Sequence, residues 1–179
     1  MKIPDWLPVF GDRDYRGECP LESAEQRSFF RALRKACPTL GRLAVHIRNE
    51  SYRQKEVTAV WKAEGMSSGA PDIIIPGNPT FACEMKRLDH TKGQLSAAQI
   101  AYLEATLSVG GFACLALGAK GAWEALIQWA ALANLPPPPA SVKLACKPKK
   151  AAKIKTISDD ADELAVILNE LEGDVHLSA

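Results

Sequence analysis

Three residues of this chain stand close together and are of types that do chemistry. Asp72 heads the apolar run Ile73-Ile-Ile75, and Glu84 and Lys86 close the run Phe81-Ala-Cys-Glu-Met-Lys86. Two carboxylates on adjacent strands can hold a divalent cation, since Mg²⁺ is commonly bound by one or two carboxylates plus water and phosphate. An ammonium beside them can orient an attacking water and offset charge gathering on a phosphate. Together they are the minimum set for metal-assisted phosphodiester hydrolysis.

That chemistry depends on register. Ile73–Ile75 is short and β-branched and lies between Pro71 and Pro76, which suits a buried strand. The turn residues Pro76-Gly-Asn-Pro-Thr80 separate it from Phe81–Met85. A turn centred near Asn78 sets Ile75 opposite Phe81 and Asp72 opposite Glu84 in an antiparallel pair. Directly opposed side chains there have Cβ atoms roughly 4.5–5.5 Å apart, and like charges so placed repel. A cation between them reverses that sign. The two-residue period puts Lys86 on the face of Glu84, and a slip of one residue turns Asp72 away. A bare Glu-x-Lys triplet most often marks a solvated strand face; the opposed Asp in an apolar hairpin is what favours a site.

The order of motifs extends the match. Glu22-Ser-Ala-Glu-Gln-Arg-Ser-Phe-Phe30 is followed by Arg48-Asn-Glu50, Lys62-Ala-Glu-Gly65 and Gly69-Ala-Pro-Asp72, then by Glu84-Met-Lys-Arg87, Leu95-Ser-Ala-Ala-Gln99 and Gly110-Gly-Phe112. This order resembles the VRR-NUC family of PD-(D/E)xK nucleases, in the small stand-alone form carried by phages and prophages, over residues 20–133. The resemblance implies an α/β fold: a restriction-endonuclease-like αβββαβ core with a mixed central sheet flanked by helices. It implies Mg²⁺ or Mn²⁺, with Asp72, Glu84 and the main-chain carbonyl of Met85 as ligands and Lys86 as the catalytic lysine. Glu22 matches the acid on the first helix, in competition with Glu25 on the same face, and Gln99 matches the glutamine on the helix after the lysine. Stand-alone members imply homodimers acting on branched DNA such as four-way junctions. The competing reading is a catalytically idle nuclease-fold module that binds DNA or a protein partner.

Other elements surround that core. The sequence predicts a helix over 22–36 with Phe29, Leu33 and Ala36 on one face and Pro38 ending it, then a buried strand over 43–47. A helix capped by Ser96 runs to Val109 before Gly110-Gly111, with Gln99, Tyr102 and Leu103 on one face. A buried strand over 112–117 and a helix over 121–132, striped by Trp123, Leu126, Ile127 and Ala130, complete it. His46 reads as structural, and Trp123 and Trp129 as core or dimer contacts. Arg48, Asn49, Arg53, Lys55, Arg87 and Lys92 are the candidate DNA contacts, Asn49 also because it follows a strand end aimed at the site.

The domain plan is an irregular arm over 1–20, a nuclease-like domain over 21–135, a Pro/Lys-rich linker over 136–157 opened by Pro136-Pro-Pro-Pro139, and an acidic amphipathic tail helix over 158–179. Leu164, Ile167, Leu168 and Leu171 on that tail form a stripe that wants a partner: the body, a second subunit or a phage protein. The net charge of +1 hides an imbalance, because seven acids and no Lys or Arg follow Lys155. The body is therefore mildly basic, compatible with modest DNA affinity. Five scattered cysteines without Cys-x-x-Cys spacing read as reduced thiols of a cytoplasmic protein, and the three histidines show no zinc-ligand spacing. No apolar run approaches the ~18 residues of a membrane span, and no signal-peptide core opens the chain.

Overall fold

The computed structural model describes residues 1–47 and 63–144. Arg48, Asn49, Arg53, Lys55 and the tail helix lie outside them. The described residues belong to one compact unit, Met1–Pro148.

Five strands form a mixed sheet: β1 (Val9–Phe10), β2 (Val45–His46), β3 (Ile73–Ile75), β4 (Phe81–Lys86) and β5 (Phe112–Leu117), in the order β1-β5-β4-β3-β2. β4 lies between β3, antiparallel to it, and β5, parallel to it. Among the described residues, helices α1 (Glu22–Ala36), α2 (Pro38–Leu43), α3 (Ala97–Ser108) and α4 (Gly118–Leu132) flank the sheet. The expected αβββαβ order is present, with β1 and α4 added at its ends.

The two-residue period sorts the core into two faces. Ile73, Ile75, Phe81, Cys83, Met85, Phe112, Cys114 and Ala116 pack with Phe29 and Leu33 of α1 and with Leu126 and Trp129 of α4. Ala82, Ala113, Leu115 and Leu117 pack with Leu103 of α3 and with Leu7. Every residue of β4 and of β5 is buried, as parallel strands covered on both faces should be. Trp123 and Trp129 are both core residues. Their indole N–H groups donate to the carbonyls of Pro139 and Pro79, at 2.9 Å and 2.7 Å.

Three local features differ from expectation. The strand expected over 43–47 narrows to Val45–His46, and both residues are exposed rather than buried, since among the described residues β2 lies at the edge of the sheet. Pro38 ends α1 but also opens α2, where its missing N–H costs nothing at the first helical position. The arm is irregular except at Val9–Phe10, which pairs in parallel with Leu115–Ala116. Beyond α4, Pro138 is buried, and Val142 and Leu144 pack on the core, so the chain stays on the body as far as it is described.

Candidate active site

The hairpin register is Ile73 with Cys83, Ile74 with Ala82 and Ile75 with Phe81. Continued by one residue, it sets Asp72 opposite Glu84, on the face that α3 covers. The main-chain N–H of Met85 donates to Asp72 Oδ2 at 2.9 Å. The Asp72 carbonyl accepts from Ile47 N–H at 3.2 Å and from His46 Nδ1 at 2.9 Å, while the His46 ring packs 6.0 Å from that of Phe30. His46 is thus structural: it ties β2 to the start of β3.

Glu84 is completely buried and Lys86 is 6% exposed. Lys86 Nζ lies 2.6 Å from Glu84 Oε1 and 3.8 Å from Glu22 Oε1. Glu22 stands at the first position of α1, at the end of the sheet, half-buried. Gln99 Nε2 donates to the same Glu84 Oε1. A capping box aims that amide: Gln99 Oε1 accepts from Ser96 N–H at 2.9 Å, and Ser96 Oγ accepts from Gln99 N–H at 3.2 Å. With its oxygen committed to Ser96, Gln99 can present only its amide nitrogen to Glu84. Gly69, at φ +77°, lies against this first turn of α3; a Cβ there would fall inside the backbone of Ala98 and 2.6 Å from Gln99 N. The Gly-Ala-Pro-Asp motif therefore seats Asp72 and the Gln99 helix against each other.

Glu22 and Glu25, equivalent in sequence, part company in space. Glu25 is buried, and its Oε2 accepts the Ala119 N–H at 2.8 Å, serving the N-terminus of α4. Glu22 alone of the two reaches Lys86. Of the basic candidates, Arg87 donates to the carbonyls of Cys19 (3.0 Å) and Pro20 (3.2 Å), and Lys92 to the carbonyl of Gly17. Both hold the N-terminal arm.

The electrostatics are those of an acid-rich, partly dry site. Burial, then the charge of Asp72, pushes Glu84 up to about 7, against the pull of Lys86. Burial also raises Asp72, opposed by the Met85 N–H and by Lys86, and raises Glu22, opposed by Lys86. Burial works to lower Lys86, but Glu84, Glu22 and Asp72 outweigh it and the net shift is upward. Lys86 is therefore a resident ammonium.

A divalent cation fits this donor set. Glu84 Oε2 is buried with no hydrogen-bond partner, and three carboxylates face a single lysine. Among the described residues no group of three or more His, Cys, Asp or Glu is placed to hold a metal ion by itself. Mg²⁺ would not need such a group, because it keeps several waters and takes few protein carboxylates.

Compared with solved structures, the chain overlays a "VRR_NUC domain protein" with a TM-score of 0.54 at 20% sequence identity, covering 64% of this chain and 92% of that one. The chain has a VRR-NUC nuclease fold. By sequence it matches no family model and no curated protein. The VRR-NUC fold accounts for the mixed sheet with its flanking helices.

Sequence reasoning missed two contributors. Ser96 was visible as a cap, but its tie to Gln99 follows from the Ser-x-x-Gln spacing of a capping box. Asp89 gave no signal at all; it is 3% exposed and accepts from Thr91 Oγ1 at 2.6 Å, Thr91 N–H at 3.1 Å and Gly17 N–H at 3.1 Å. No helix among the described residues is long and apolar enough to cross a membrane.

Proposed function

We propose that this protein is a Mg²⁺- or Mn²⁺-dependent endodeoxyribonuclease that hydrolyses phosphodiester bonds, selective for branched DNA such as four-way junctions and acting as a homodimer. The observation that carries the reading is the buried, unpartnered Glu84 Oε2, on the face that Asp72 and Lys86 share. An idle fold has no reason to keep a desolvated carboxylate opposite a second one, because such a group costs free energy until a cation or proton meets it.

Asp72, Glu84 and the Met85 main-chain carbonyl would hold the cation, with Glu22 contributing directly or through water. When bound, it would lower the pKa of a coordinated water and neutralise charge on the phosphate. The protein's own residues do the rest. The Met85 N–H fixes the Asp72 carboxylate. Gln99 orients Glu84 from α3, and Ser96 holds Gln99. Lys86, kept charged by its three acidic neighbours, directs its ammonium to the attacking water and to the phosphate oxygens. Arg48, Asn49, Arg53 and Lys55 are proposed to carry the DNA backbone. The acidic tail is proposed to dock on a second subunit or on a phage protein in the bacterial cytoplasm.

The test is cleavage of labelled four-way junction, flap, single-stranded and linear duplex DNA, with Mn²⁺ and with chelator, beside Lys86→Ala. Metal-dependent cutting lost in the variant supports the reading, and paired symmetric cuts in the junction support a dimer. Cutting by Lys86→Ala at the wild-type rate removes Lys86 from the mechanism. No cutting together with no cation binding removes the nuclease.

A further inference from the structure

Glu22 sits at the first position of α1, yet that helix end has no device of its own to fix it. Its N-cap is Leu21, which offers no side-chain cap. The Leu21 carbonyl accepts from Ala24 and Glu25 N–H, at 2.9 Å and 3.1 Å, which closes the first turn but does not tie it to the sheet. One anchor is the Glu25 carboxylate on Ala119 N–H. The other comes from the segment directly after Lys86.

Four residues of that segment grip the arm, and every grip falls on main chain. Arg87 takes the Cys19 and Pro20 carbonyls with two nitrogens of one guanidinium. Asp89 takes the Gly17 N–H, and Lys92 takes the Gly17 carbonyl. His90 Nε2 meets the Arg13 carbonyl at 3.2 Å. Asp89 is almost fully buried, braced by both Thr91 donors and by Lys92 at 3.4 Å. Consecutive residues of one strand end thus do paired jobs: Lys86 meets the Glu22 carboxylate, and Arg87 holds the backbone that carries Glu22. The Arg87 charge is itself felt at Glu22.

We propose that Arg87 and Asp89 form a clasp on the arm that sets Glu22 against Lys86, making Arg87 a positioning residue of the site and not a phosphate contact. This rests on the nuclease reading above for its consequence, but not for its geometry. A lysine keeps the charge of Arg87 and loses the planar fork that spans two carbonyls. The two roles therefore separate at Arg87→Lys.

The experiment compares wild type, Arg87→Lys, Arg87→Ala, Asp89→Asn and Glu22→Gln, with Arg87→Ala also combined with Glu22→Gln. Turnover with Mn²⁺, DNA affinity against salt, and amide exchange at Ala24 and Glu25 are measured. The clasp predicts that Arg87→Lys and Arg87→Ala both lose about tenfold to a hundredfold in kcat, the scale of a small misplacement of a reacting group. KM and the salt slope stay near wild type, and Glu22→Gln adds little on top of Arg87→Ala. Exchange at Ala24 and Glu25 quickens in every clasp variant, including Asp89→Asn if Arg87→Ala does not fold. Rescue by Arg87→Lys, a salt slope reduced by about one in Arg87→Ala, and losses additive with Glu22→Gln would overturn the clasp in favour of a phosphate contact. A wild type that neither cuts DNA nor binds Mn²⁺ refutes the nuclease, while the exchange rates still decide the clasp.

Discussion

Replacing Glu84 by Gln should stabilise the cation-free protein at neutral and alkaline pH. The side chain is completely buried, and burial with the nearby Asp72 charge lifts its proton affinity from an ordinary 4.5 to about 7. Each tenfold change in proton affinity is about 1.4 kcal/mol, so holding Glu84 ionised costs the native state about 3 kcal/mol relative to the unfolded chain. The sign follows from proton counts. Between about pH 4.5 and 7 the folded protein binds this proton and the unfolded chain does not, so wild-type stability falls as pH rises across that window. Glutamine resembles the protonated acid and can still accept from Lys86 and Gln99 through Oε1. In chelator, urea denaturation at intervals from pH 5 to 8 should show the wild type losing about 3 kcal/mol relative to Glu84→Gln. Saturating Mn²⁺ should return about 3 kcal/mol to the wild type at a hundredfold excess over Kd and nothing to the variant. Parallel pH profiles in chelator would mean that Glu84 carries no desolvated charge, and the argument for a cation there would fall with it.

Gly69→Ala should cost more than about 2 kcal/mol in thermal or urea denaturation, since it combines a left-handed backbone with a clash against Ala98 and Gln99. Ser96→Ala should cost about 1 kcal/mol as a lost cap. Turnover of the folded variant should stay near wild type, because the Ser96 main-chain N–H that holds Gln99 Oε1 survives the substitution; a loss of turnover well beyond the loss of stability would count against this. Glu25→Ala should destabilise by about 1–3 kcal/mol, as a buried N–H at Ala119 loses its acceptor. Glu22→Gln should leave the melting temperature nearly unchanged and reduce cleavage, the reverse pattern to Glu25→Ala, and identical behaviour of the two would undo their assignment.

Much of this fold was legible because its signals are local. Proline and glycine bound the β3–β4 hairpin, and a turn centred near Asn78 set a register that the structure reproduces at Ile75 with Phe81. Ser96 and Gly110-Gly111 marked the ends of α3. The failures have a common physical origin. Val45–His46 reads as a core strand by composition, yet it is exposed and, among the described residues, lies at the sheet edge, a place that no residue of the strand encodes. Val9–Phe10 joins the sheet only because β5 lies open beside it, a pairing more than a hundred residues apart in sequence.

The site divides along the same line. Asp72, Glu84 and Lys86 could be read from strand period because one hairpin carries all three. Glu22 and Glu25 could not be separated, since helical spacing gives them the same face and only the path of the arm decides which reaches Lys86. Arg87 and Lys92 read as free cations for a phosphate, and the structure gives both to the carbonyls of that arm. The acids of the site and the bases that hold the arm are therefore not independent sets. A lysine beside three carboxylates can use the third one, on a separate helix, only if it is kept within reach. The segment that follows the lysine is where the chain provides for it.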